Sequence, residues 1–105
     1  MEQVTAKNFE EKYQKGIVVV DFWAPWCGPC QRLGPVFESL SKEIKGALFL
    51  KCNVDEIREI SQKFGIMSIP CVIVFHNGEE ADRIVGFPGE DAFKDMIADA
   101  VRRLQ

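Results

Sequence analysis

Apolar positions along the chain follow two rhythms that keep replacing one another, a short β-branched run and a three-to-four-residue helical spacing. The first helical signal covers residues 8–14, where Phe9 and Tyr13 lie four apart. Asn8 and Glu11 have capping-box spacing there, and Gly16 is a natural stop. Ile17-Val18-Val19-Val20-Asp21-Phe22-Trp23 is apolar at nearly every position, as expected of a central strand covered on both faces. Asp21 is its one odd member. After a turn over residues 26–30, Leu33, Val36, Phe37, Leu40 and Ile44 repeat at helical spacing up to Gly46. Pro35 lies inside this helix and crowds the carbonyl of Gln31, so a kink is expected there, eased by Gly34. Residues 47–54 read as a second buried strand. Asp55 is placed to cap a third helix whose face is Ile57, Ile60 and Phe64 and which Gly65 ends. Strands at 72–75 and 81–85 flank His76-Asn77-Gly78, and Asn-Gly is a strong hairpin signal. Ala92, Phe93, Met96, Ile97, Ala100, Val101 and Leu104 form the stripe of a last helix, with Gly89 at its weak cap.

Helices alternating with strands, then a hairpin and a final helix, predict an α/β fold: a central mixed sheet of about five strands flanked by four helices. Typical domains run to roughly 100 to 200 residues, so a chain of 105 residues is expected to form one domain, 1–105, with no room for a second. Apolar residues make up 47% and charged residues 28%, a globular balance. The net charge is −3 with no run of Lys or Arg, which argues against nucleic acid or an anionic membrane as partner. No charged and apolar leader precedes the first helix and no apolar run is long enough to cross a bilayer, so a cytoplasmic protein is expected.

The chemistry lies in Trp26-Cys27-Gly28-Pro29-Cys30, between a buried strand and the longest helix. Two thiols separated by two residues at a helix N-terminus can close a small disulfide ring. The unpaired N–H groups and the positive end of the helix dipole stabilise a thiolate on Cys27. That thiolate can attack a substrate disulfide, and Cys30, one turn in and more buried, can resolve the mixed disulfide. Pro29 suits a first helical turn, where its missing N–H costs nothing. The competing reading is half of a zinc site, which needs two more ligands at comparable spacing. No second Cys-x-x-Cys exists, and the other candidates, Cys52, Cys71 and His76, stand singly. No metal is expected.

The stretch from Val20 to Cys30 resembles the active-site signature of the thioredoxin family, and other blocks match in order: residues 51–55, Phe64-Gly65-Ile66, Ser68-Ile69-Pro70, residues 75–78 and Val85-Gly86. The resemblance covers essentially the whole chain. It implies the thioredoxin fold and a protein-disulfide reductase that binds no organic cofactor. Reducing equivalents would come from a thioredoxin reductase, substrates would be disulfide-containing proteins, and the chain would work as a monomer. It further implies that Cys27 and Cys30 form the redox-active disulfide and that Pro70 is cis. Trp26, Gly28, Pro29, Ile69, Pro70, Val85, Gly86 and Phe87 would surround Cys27 as an apolar patch, with the backbone of Ile69 pairing with an extended substrate. Asp21 would lie buried beneath Cys30 with a raised pKa and take its proton. Lys51, close to Asp21, together with Trp23 and Pro70, would support the site.

Cys71 departs from the family pattern, which has threonine after the cis-proline. It reads as an isosteric exchange, with tuning, oxidation or metal binding as the alternatives. Cys52 reads as a buried hydrophobe. His76 reads as a strand end, and Glu79, Glu80, Asp82, Arg102 and Arg103 as surface charge. An oxidase or isomerase of secreted proteins would share the fold but usually has a histidine between its cysteines, where this chain has Gly28-Pro29. A non-catalytic binding module is the remaining alternative.

Overall fold

The computed structural model describes residues 2, 3, 5 and 8–105. Its elements in chain order are β1 (Glu2–Gln3), α1 (Phe9–Lys12), β2 (Ile17–Trp23), α2 (Gly28–Glu43), β3 (Ala47–Asn53), α3 (Arg58–Lys63), β4 (Cys71–His76), β5 (Glu79–Val85) and α4 (Glu90–Leu104). The strands form one sheet in the order β1-β3-β2-β4-β5. β3 runs parallel to both β1 and β2, whereas β4 is antiparallel to β2 and to β5. The mixed sheet matches the expectation from pattern. β1 adds a strand that two residues are too few to announce by alternation.

β2 is central, paired on both edges and buried at every position before Trp23. Its side chains alternate between two cores, as strand geometry requires. Ile17 and Val19 point to the face covered by α2 and α4, where Leu33, Phe37, Phe93 and Ile97 pack. Val18, Val20 and Phe22 point to the other face, against Phe9, Tyr13, Ile57 and Ile60. The continuous apolar run of β2 is thus one strand serving two cores. The Asn-Gly hairpin forms with Asn77 at φ 52° and Gly78 at φ 87°, the paired left-handed geometry of a two-residue turn. Asn77 also ties the hairpin to the start of β2, exchanging two hydrogen bonds of 2.9 Å with the backbone of Gly16.

Three local expectations are corrected. The capping box lies three residues earlier, because the Thr5 N–H donates to Asn8 Oδ1 at 2.8 Å while the Asn8 N–H donates to Thr5 Oγ1 at 3.3 Å. With Asn8 so engaged, α1 is only four residues long and Tyr13 already closes it. Asp55 does not cap α3, which begins at Arg58 after Ile57. Asn53 takes over the end of β3 by accepting the Asp55 N–H at 2.9 Å, an Asx turn that places Asp55 before the helix. Finally, α2 ends at Glu43 rather than Gly46. Pro35 lies inside it, and Leu33, Val36, Phe37 and Leu40 are on its buried face.

A helix of four residues cannot stand on propensity, so α1 depends on the packing of Phe9. That ring is fully buried, 4.9 Å from Tyr13 and 5.8 Å from Phe64 between centroids. Phe9→Ala is expected to cost about 3 to 5 kcal/mol, the usual range for emptying a core phenylalanine site. Urea denaturation checks this; an unchanged midpoint would show that the aromatic cluster does not carry the α1 face.

Candidate active site

β2 delivers the chain to the site. After Trp23, the Cys27 N–H donates to the Ala24 carbonyl at 3.2 Å and Gln31 Nε2 donates to the Pro25 carbonyl at 2.8 Å, closing the loop onto the start of α2. Cys27 is the N-cap residue of α2, extended at φ −90° and ψ 114°. An N-cap side chain ordinarily accepts from an amide one turn in. Here the acceptor is sulfur, and the Cys30 N–H points at Cys27 Sγ at 3.2 Å. The helix end therefore stabilises negative charge on Cys27 when the pair is reduced. Pro29 occupies the first turn without sacrificing a hydrogen bond. Cys27 and Cys30 are joined as a disulfide with Cα atoms 5.2 Å apart. They are covered almost equally, at 5% and 3% exposure, so it is their place on the helix end that differentiates them.

Ala24, Trp23, Val54 and Ile69 pack around the pair. Ile69 comes from the loop before β4, its carbonyl oxygen 3.8 Å from Cys27 Sγ, and the Ile69-Pro70 bond is cis. The Pro70 carbonyl accepts the Gly86 N–H at 2.8 Å, which joins this loop to the end of β5. Trp26, Gly28, Pro29, Val85 and Gly86 thereby come to the same end of the sheet as Cys27, with Trp26 and Val85 69% and 59% exposed. Phe87 is half-buried and leans into the α2–α4 core, its ring 6.2 Å from Phe93.

Asp21 is fully buried, and neither carboxylate oxygen has a hydrogen-bond partner among the described residues. Like Ile17 and Val19 it lies on the α2 side of β2. Burial pushes its pKa up to about 7, opposed in part by the positive charge of Lys51, which sits directly across in β3. Lys51 Nζ lies 4.6 Å from the centre of the Trp23 ring, and Trp23 packs against the cysteine pair. Fully buried Asp21 and half-buried Lys51 and Trp23 thus follow one another towards the disulfide.

Cys52 and Cys71 are free and buried on the opposite face of the sheet, paired on either side of Phe22. Two strand spacings, about 10 Å, separate them, which is beyond disulfide reach. Burial pushes the Cys52 thiol up to about 12, and it raises the Cys71 thiol as well. Both favour the protonated, unreactive form. No group of three or more His, Cys, Asp or Glu side chains converges as a metal site among the described residues.

One residue escaped the sequence reading of the site. Trp26 Nε1 donates to Asp55 Oδ2 at 2.8 Å, so Asp55 holds the exposed indole beside the cysteines. Its sequence context reads as helix-capping chemistry, and only the Asx turn at Asn53 turns the carboxylate towards the loop.

The thioredoxin family model matches residues 1–99. The chain belongs to the thioredoxin family. It is 45% identical over 96 residues to a thioredoxin of Staphylococcus haemolyticus, spanning 90% of this chain and 92% of that one. It is 40% identical over 96 residues to the thioredoxin of Bacillus subtilis, with the same coverage. A solved structure of Plasmodium falciparum thioredoxin superposes with a TM-score of 0.86 at 37% identity, covering 94% of this chain and 98% of that one. Family membership and the closed Cys27–Cys30 pair make the protein a thiol–disulfide oxidoreductase, a protein-disulfide reductase working by dithiol–disulfide exchange.

Asp21 should write its pKa into the stability curve. Below pH 3.8 it is protonated whether folded or unfolded. Between there and about 7 only the unfolded chain releases the proton, which favours unfolding progressively; above about 7 both forms are ionised and the penalty is constant. Relative to Asp21→Asn, the oxidised parent is therefore expected to lose stability on the order of 4 kcal/mol between pH 4 and pH 8, checked by denaturant titration at each pH. Parallel pH curves would refute the burial argument. Cys71→Thr should leave disulfide-reduction turnover at the parental rate, because the Cys71 side chain faces the core opposite α2; a changed rate would restore it as a tuning thiol.

Proposed function

We propose that the 105 residues act as a single reductase domain in which Cys27 is the nucleophile and Cys30 the resolving thiol. The Cys27 thiolate attacks one sulfur of a substrate disulfide, forms a mixed disulfide and releases the other substrate sulfur as a thiolate, which takes up a proton. Deprotonated Cys30 then attacks Cys27 Sγ, closing the Cys27–Cys30 bond and releasing the second substrate thiol. Substrate gains two electrons and two protons, and the pair loses the same. The observation that carries this assignment is the Cys30 N–H directed at Cys27 Sγ at 3.2 Å, since it stabilises a thiolate on that sulfur in particular.

Asp21 is the base for Cys30. Its support is a pKa raised to about 7, which suits a group that must both accept and release a proton near neutrality. Lys51 tempers that rise, and its ammonium lies over Trp23, which packs on the thiols. Trp26, Gly28, Pro29, Ile69, Pro70, Val85 and Gly86 form the substrate surface. An extended substrate segment lies along Ile69, whose carbonyl beside Cys27 supports recognition by strand addition. A thioredoxin reductase returns the pair to the dithiol, and the protein works as a monomer on disulfide-containing proteins in the cytoplasm, where a pair that must be re-reduced each cycle is supplied with electrons.

Insulin reduction tests the assignment. The parent should reduce insulin with a thiol donor and Cys27→Ser should not, whereas Asp21→Asn should retain reduction at a lower rate. A parent inactive towards insulin would leave only a binding module.

A further inference from the structure

Arg83 lies in β5 opposite Ile73 and two residues before Val85. Ile84 packs into the α2–α4 core, so Arg83 and Val85 face the other side, where α3 ends. The guanidinium is engaged in two directions. Nε and Nη2 grip the two carboxylate oxygens of Glu80 at 2.9 and 2.8 Å, a bidentate pair that fixes the plane of the fork. Nη2 also donates to the Phe64 carbonyl at 2.6 Å, and Nη1 reaches the Gly65 carbonyl at 3.4 Å. Carbonyls at a helix C-terminus lack partners within the helix, and here a side chain from a neighbouring strand supplies them.

Those carbonyls stand where residues 66–70 begin. The same segment ends at Pro70, whose carbonyl accepts the Gly86 N–H at 2.8 Å. The chain from Ile66 to Pro70 is therefore bracketed by two ties to β5 and the residue that follows it, one at each end. Between the ties the Ile66 N–H donates to the Ser61 carbonyl at 2.8 Å, Met67 is 95% exposed and Ile69 approaches Cys27, so among the described residues it is the fork and the Gly86 N–H that join this stretch to the β5 side. We propose that Arg83 is a positioning residue that sets segment 66–70 against Val85 and Gly86, and so governs recognition of protein disulfides without entering the thiol chemistry. The inference rests on the reading of Ile69, Pro70, Val85 and Gly86 as the substrate surface.

A lysine cannot replace the fork, because one ammonium cannot hold Glu80 in bidentate fashion and serve two carbonyls in the same plane. The test compares Arg83→Met, Arg83→Lys and Glu80→Gln with the parent, using insulin as protein substrate and dithiobis(nitrobenzoate) as a small disulfide that needs no surface. Val85→Glu, a change at an exposed position, reports on the surface itself. For Arg83→Met, kcat/KM towards insulin should fall about tenfold, mainly through KM, since misplacement by a fraction of an ångström is felt strongly in binding geometry. Arg83→Lys and Glu80→Gln should lie between it and the parent, and the rate with dithiobis(nitrobenzoate) should stay at the parental value in all three. Equal losses on both substrates, or a lowered denaturation midpoint with both rates intact, would overturn the proposal. If Val85→Glu lowers insulin turnover and Arg83→Met does not, the role of Arg83 alone fails; if neither lowers it, the substrate surface fails and the proposal with it.

Discussion

The site depends on β2 being buried on both faces and hydrogen-bonded on both edges. A strand so enclosed cannot shift register without moving every side chain to the wrong core. Its last residue, Trp23, therefore emerges at a fixed point, and the short loop that follows places Cys27 at the N-cap of α2. From that placement comes the contact that matters chemically, an amide of the first helical turn aimed at a sulfur. Without a rigid strand behind it and a 16-residue helix ahead of it, a Cys-Gly-Pro-Cys turn would have no fixed dipole to draw on.

The same enclosure explains why the acid of this strand is costly. Asp21 occupies a position where Val or Ile would pack, and its oxygens find no partner among the described residues. The expense in folding free energy and the pKa near 7 have one physical origin, the loss of hydration around a carboxylate. Lys51 lies across the strand pair and offsets part of it. Its ammonium sits over Trp23, which is itself packed on the disulfide. On the proposed reading, stability is surrendered at one position in the core to keep a proton acceptor for Cys30, a common bargain at functional sites.

Around this rigid centre the elements proposed for recognition are loops and strand ends, each held by a few polar contacts. Asn53 organises the turn after β3 and thereby turns Asp55 towards Trp26. The Gly86 N–H joins the cis-proline loop to β5, and the Arg83 fork anchors that loop where it leaves α3. The cysteine pair is placed on the long helix, whereas the proposed contact surface is assembled from segments that can vary independently.

Periodicity and turn chemistry were enough to read the α/β order, the doubly covered central strand, the Asn-Gly hairpin and the position of the reactive pair at a helix start, because each is set by residues within a few positions of one another. The boundaries of α1 and α3 were misread because Asn8 and Asp55 each had two possible partners. Local spacing cannot say whether a carboxylate will cap its own helix or bond an indole 29 residues away. Nor could pattern place Cys52 and Cys71 on the face opposite Asp21, or connect Arg83 to the carbonyls where α3 ends. Sequence alone determined what chemistry the chain carries, since a nucleophilic pair at a helix N-terminus is written in contiguous residues. Tertiary structure decided which distant groups serve that chemistry, because burial, cross-strand register and the reach of a long side chain exist only once the sheet has formed.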